Sequence, residues 1–346
     1  MTLAYRPLGH SGLQVSELAL GTVTFGREAS EADSRLILDR FLDAGGNLVD
    51  TANVYGVSED ILGRVLRGRR SRVLLATKVG QPVGGPNGEG VSRRHIHEAI
   101  DSSLRRLDTD WIDLYHIHCW DPATPLEETL STLNDLVRTG KVRYLGVSNF
   151  AGWQLAKAIG VAARAGWEPI VSLTPQYSLV ERGVERELLP ACRSEGVAVL
   201  PWSPLGGGIL TGKYGPGPDL PADTRATGWT NNTASMLRRL QDERNHVIAD
   251  VVKQVAGDTG HSPAQVALNW LLHRDGVTAP ILGARTVAQL EDNLGAAGWS
   301  LDPEHVTSLD DASRIALGYP YDWDASYGIR QGSKPDRAFE PERTAP

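Results

Sequence analysis

Asp50, Tyr55, Lys78 and His118 are residue types that together can move a proton onto an oxygen. A tyrosine phenol ordinarily titrates near 10, too high for an efficient donor at neutral pH. A lysine ammonium beside it stabilises the phenolate and lowers that value, and Asp50 keeps Lys78 charged and oriented. His118 supplies a second hydrogen-bond partner for the phenol or for a substrate oxygen. Such a set suits polarising a carbonyl and protonating the alkoxide formed as it is reduced. It pairs no serine or cysteine with a base, so acyl transfer is not the expected chemistry. What remains to be supplied is hydride.

These residues are far apart in sequence, and the elements between them must bring them together. Short apolar runs expected as strands occur at 18–23, 47–52, 72–79, 111–119, 142–149, 171–178, 197–204 and 278–284. Between them lie stretches whose apolar residues recur at helical steps, several closed by a glycine that can cap the last turn. Alternation of this kind predicts an α/β protein with a parallel sheet. Eight strands over this length fit a closed (β/α)8 TIM barrel better than an open doubly wound sheet. The run GTVTFG at 21–26 lacks the G-x-G-x-x-G spacing of a dinucleotide-binding turn. An N-terminal β-hairpin around Gly9–Gly12 is expected to close the barrel bottom, and the Gly/Pro-rich stretch after the seventh strand to form a long lid loop. Residues 1–318 read as a single barrel domain and 319–346 as a partly flexible C-terminal arm.

On this frame the second strand ends at Asp50, the third at Lys78 and the fourth at His118. The fifth ends at Ser148 and Asn149, the sixth at Gln176 and the seventh at Ser203. Each alone has a plain explanation: Asp50 could cap a turn, and Lys78 could snorkel. Gathered at the C-terminal rim of a barrel, where active sites of this architecture lie, they read as one site. His116 and His118 also share a strand face, which raises a metal-dependent hydrolase. Later strand ends supply no further His or acid, so no metal is expected and His116 reads as a core residue.

The 346-residue chain carries a formal charge of −7, which argues against nucleic acid or a membrane surface as partner. No apolar run reaches bilayer length, and the first residues lack a signal-peptide pattern. With Cys119 and Cys192 read as reduced, buried thiols, the expected location is cytoplasmic.

The segments DTANVYG (50–56), LATK (75–78), DLYHIH (113–118), GVSNF (146–150), QYS (176–178), PWSPLGGGILTGK (201–213), PILGART (280–286) and QLEDN (289–293), in this order, resemble the aldo-keto reductase superfamily. The resemblance implies the same barrel, NADP(H) as cofactor and a small-molecule carbonyl substrate. It implies Tyr55 as general acid, with Asp50, Lys78 and His118 completing a tetrad. Ser148, Asn149 and Gln176 would hold the nicotinamide carboxamide, and Trp202 would stack on the ring. Thr22 and Asp50 count among the cofactor contacts, and Ser203, Pro204, Leu205, Gly207 and Lys213 would follow the pyrophosphate. Gly283, Arg285, Gln289, Asp292 and Asn293 correspond to the adenosine end, where a helix N-terminus with an arginine seats a 2′-phosphate. Arg225 in the lid is a second candidate cation. Gln289 stands where many members carry an arginine.

Between Gly56 and Ser58 only Val57 intervenes, where relatives often have additional glycines, so the substrate mouth is expected to differ in shape. Trp120 and Asp121 are placed at the entrance, with packing under a loop as the other reading of Trp120. The W-S-P-L-G-G-G-x-L-T-G-K-Y form is similar to the branch that includes potassium-channel β subunits. That likeness admits a cofactor-sensing regulatory protein with vestigial turnover, and assembly into homo-oligomeric rings. The branch also reduces nucleotide-linked keto-deoxysugars, so substrate identity stays open between these and small aldehydes or ketones.

Overall fold

A computed structural model describes residues 2–215 and 238–321. Two short strands, β1 (Tyr5–Pro7) and β2 (Gln14–Ser16), form an antiparallel hairpin. Eight parallel strands follow: β3 (Ala19–Gly21), β4 (Leu48–Asp50), β5 (Leu74–Val79), β6 (Ile112–Ile117), β7 (Val142–Ser148), β8 (Ile170–Thr174), β9 (Ala198–Val199) and β10 (Ile281–Gly283). They neighbour one another in chain order, and β10 returns to pair with β3. The ring closes where Thr278 N donates to Val199 O and Ile281 N to Pro201 O. The expected (β/α)8 barrel with its N-terminal hairpin is thus observed.

Helices cover the outside: α1 (Glu31–Asp43), α2 (Ser58–Val65), α3 (Arg93–Leu107), α4 (Leu126–Arg138), α5 (Gly152–Ala165) and α6 (Leu188–Glu195). Further on come Glu243–Thr259, Pro263–Leu272, Val287–Leu294 and Pro303–Ser313. Local chemistry sets their ends. Ser30, Ser92 and Ser262 accept N-terminal amides of the helices they precede, and Gly166, Gly196 and Gly260 adopt the left-handed cap conformation.

Side chains alternate along each strand between the helix layer and the barrel interior. Val49, Leu75, Val147 and Leu173 join the helix-facing core. Ala19, Leu48, Ala76, Leu114, Val171, Ala198 and Ile281 fill the interior together with Leu8 and Val15 of the hairpin segment. The hairpin plugs the floor, as expected. Following the inward rows upward by steps of two, Leu48 leads to Asp50, Ala76 to Lys78, and Leu114 to His116 and His118. Each row starts apolar at the floor and ends polar at the rim.

Several strands are shorter than their apolar runs. Gln176 and Trp202 lie beyond β8 and β9, joined by an isolated parallel bridge. The expected lid begins with a 3-10 turn at Gly206–Thr211, where Gly206, Gly207 and Gly208 all take positive φ, closed to most other residues. The rest of the lid, Arg225 included, and the arm from residue 322 lie outside the described residues. Cys192 is buried and Cys119 only half-buried; neither is in a disulfide.

Candidate active site

Asp50, Lys78 and His118 are 5 %, 2 % and 6 % exposed, and all three arise from adjacent strands at the rim. Lys78 Nζ donates to both oxygens of Asp50 at 2.6 Å and to Thr51 O at 2.8 Å. Burial works most strongly against the ammonium, but Asp50 and Tyr55 together, by charge and hydrogen bond, outweigh it, so Lys78 is held above the usual lysine range. Tyr55 follows β4 on a turn in which its own N donates to Ala52 O. Its ring centre stands 5.3 Å from Lys78 Nζ and 6.0 Å from the His118 ring, edge to face. The four residues singled out for proton transfer converge.

His118 is pushed down to about 3, by burial first and then by the Lys78 charge. The imidazole is neutral at physiological pH, fit to donate or accept a hydrogen bond but not to carry charge. His116 lies one step deeper, fully buried, with Nε2 against Ser172 Oγ at 3.0 Å. No cluster of His, Cys, Asp and Glu suited to a metal occurs among the described residues.

The loop bearing Tyr55 is fastened by residues that sequence reasoning passed over. Ser58 Oγ meets Thr22 Oγ1 at 2.8 Å and Thr51 Oγ1 at 3.0 Å, and donates to Thr22 O. Glu59, almost fully buried, accepts from Thr77 Oγ1 and from the Arg106 guanidinium. A serine and an acid opening a helix look like ordinary end residues, so only their depth reveals this role. Thr22 is itself fully buried in this knot, its hydroxyl donating to Asp50 O. Asp121 likewise holds loops together, accepting from Val91 N, Ala123 N and Thr124 Oγ1. Trp120 is half-buried and packs edge to face on buried Phe150 and exposed Trp153. Trp120 is thus engaged in packing two residues beyond His118.

The sequence model described as "Aldo/keto reductase family" matches residues 17–314. The chain belongs to the aldo/keto reductase family. The oxidoreductase YrpG of Bacillus subtilis is 40 % identical over 325 residues, covering 89 % of this chain and 95 % of that protein. A probable voltage-gated potassium channel β subunit of Oryza sativa is 37 % identical over 302 residues, covering 85 % and 91 %. Norsolorinic acid reductase of Aspergillus flavus is 33 % identical over 328 residues, covering 90 % and 81 %.

Aldo/keto reductases generally use NAD(P)H, and the rim residues expected to face its nicotinamide end are held as follows. Asn149 and Ser203 are two of the three non-glycine residues with positive φ among the described residues, at 56° and 55°. Such backbone costs energy and is retained where position matters. Trp202 Nε1 donates to Asn149 Oδ1, while Asn149 Nδ2 donates to His118 O and Ser148 Oγ. Ser148 Oγ in turn donates to Thr174 O. Gln176 differs. Its Oε1 accepts from Arg239, but its buried Nε2 has no partner among the described residues. A buried amide hydrogen without an acceptor is what a carboxamide-bearing ring would satisfy, so the residues present fit.

Ser203 Oγ accepts from Gly207 N, and Pro204 and Leu205 lead into the glycine turn. Lys213 is exposed near the end of that turn, its Nζ 5.2 Å from the Tyr214 ring centre. Where the resemblance places the adenosine end, Thr286 caps the helix Val287–Leu294 and half-buried Arg285 precedes it. Gln289 Oε1 takes the Arg285 amide, Asp292 accepts from Gln265, and buried Asn293 donates to Gly283 O. No helix among the described residues is long and apolar enough to cross a membrane.

Proposed function

We propose that this chain is an NADPH-dependent reductase that converts an aldehyde or ketone to an alcohol, with Tyr55 as proton donor. The supporting observation is the buried Asp50–Lys78 pair beneath Tyr55, with neutral His118 beside it. When bound, NADPH would supply the hydride for the carbonyl carbon. Tyr55 gives its phenolic proton to the carbonyl oxygen: the hydride pair would form the new C–H bond, the C=O π pair the new O–H bond, and Tyr55 is left as phenolate. Lys78 favours the phenolate left behind, and Asp50 keeps that ammonium charged. His118 contributes a dipole and a hydrogen bond to the substrate oxygen, holding it against Tyr55. Gln176, Ser148 and Asn149 would hold the nicotinamide, Trp202 would cover it, and Ser203, Pro204, Leu205, Gly207 and Lys213 would follow the phosphates. Arg285 at a helix N-terminus supports NADP over NAD.

NADPH oxidation at 340 nm is to be followed with a panel of aldehydes and ketones, comparing wild type with Tyr55→Phe. The expected result is turnover in wild type and a loss of orders of magnitude in the variant, with NADPH binding retained. The potassium-channel relative favours one second reading, a cofactor-binding regulator. Tight NADPH binding with negligible turnover by wild type across the panel would support it.

A further inference from the structure

Arg239 lies just beyond the lid, on a turn of helix whose backbone is tied down. Asn245 Nδ2 donates to Arg239 O, and the neighbouring Leu240 is buried against Ile209, Tyr214 and Ala249. From there the half-buried guanidinium reaches across and donates from Nη2 to Gln176 Oε1 at 2.9 Å.

This contact decides which way the Gln176 amide faces. A guanidinium has donors only, so it can be met by the oxygen of the amide and never by its nitrogen. With Oε1 turned to Arg239, Nε2 faces the other way, buried and unpartnered among the described residues. Ser148 and Asn149, by contrast, already use their donors within the protein. Gln176 is thus the one member of the trio that keeps a buried donor in reserve.

We propose that Arg239 is a positioning residue: it fixes Gln176 so that Nε2 is presented to the carboxamide oxygen of the nicotinamide. The proposal rests on the cofactor reading above and adds a residue that the resemblance does not assign. A freely turning Gln176 would show oxygen to that oxygen half of the time, and a charge-assisted hydrogen bond removes this ambiguity. Arg239 itself need not touch the cofactor.

The test is equilibrium binding by calorimetry, with NADPH and with 2′-phospho-ADP-ribose, which has every phosphate but no nicotinamide. Arg239→Ala is expected to weaken NADPH by about tenfold, the scale of one charge-assisted bond, and to leave 2′-phospho-ADP-ribose unchanged. Arg239→Lys, still a donor-only cation, is expected to recover part of the NADPH affinity. In a Gln176→Ala background, Arg239→Ala should cost nothing more. Equal weakening of both ligands would mean that Arg239 serves the phosphates, and no weakening of either would mean that Gln176 orients itself. Either result overturns the proposal. Wild type that binds 2′-phospho-ADP-ribose and NADPH equally well overturns it too, while wild type that binds neither overturns the cofactor reading on which it rests. Circular dichroism of each variant shows that the fold is kept.

Discussion

Lys78 Nζ sits 2.6 Å from each carboxylate oxygen of Asp50, and almost nothing of either side chain reaches water. Removing one partner strands the other charge in the interior. Lys78→Met is expected to lower stability by about 3–5 kcal/mol, and the double change Lys78→Met with Asp50→Asn to recover much of it. Urea denaturation measures both. Because Lys78 is held above its ordinary value, its contribution is complete below about pH 10.4 and is lost only as pH rises through the higher folded value. A loss of stability traceable to Lys78 near pH 8 would contradict this arrangement.

His118 shifts the other way. Its folded value is about 3 against an ordinary 6.5, so between these the unfolded chain binds the extra proton. Stability should fall as pH drops through that window, by up to about 1.4 kcal/mol for each unit below 6.5. The imidazole should show no protonation between pH 5 and 8 in an NMR titration. A His118 midpoint near 6.5 would sink the assignment of a neutral ring.

Gly146 makes room for the histidine beneath the site. A methyl placed there would stand 2.4 Å from His116 Cδ2 and 2.4 Å from Ser172 Oγ. Gly146→Ala is therefore expected to cost about 1–3 kcal/mol by overpacking. Since His116 and His118 are on the same inner row, kcat should fall as well. Unchanged denaturation midpoints would show that His116 moves aside freely.

Asp310, on the last described helix, collects Arg182 Nη1 at 3.0 Å, Arg274 Nη1 at 3.0 Å and Trp270 Nε1 at 3.1 Å. Arg182 is largely buried, and both guanidiniums also stand over the Trp270 ring. Asp310→Ala should destabilise by about 2–4 kcal/mol, below the cost of a fully enclosed pair because Arg274 retains some solvent. Thermal unfolding reads this directly, and Asp310→Asn should fall between.

The barrel was legible because strand-end residues and helix caps are local signals. The apolar runs at 47–52 and 72–79 contain β4 and β5, and Asp50 and Lys78 fall at their ends as expected. Less legible was anything that depends on depth. Ser58 and Glu59 open a helix and look solvated, yet they anchor the loop carrying Tyr55 from within. Asp121 looks like an entrance residue but is spent on neighbouring amides. Arg239 is 63 residues from Gln176, in a stretch with no strand or motif to mark it. Contacts across the rim follow from closure of the barrel, which no local window of sequence contains.

That closure has a consequence for how the protein is made. Ala19–Gly21 pairs with Ile281–Gly283, which is synthesised long after it. Until residue 283 has left the ribosome, β3 and β9 are both open edges, able to pair with another chain. Seven strands can assemble in order of synthesis, but the eighth contact waits until β10 has been made. Nascent chains halted before β10 should collect with chaperones and aggregate, whereas chains halted beyond 321 have every described strand in hand.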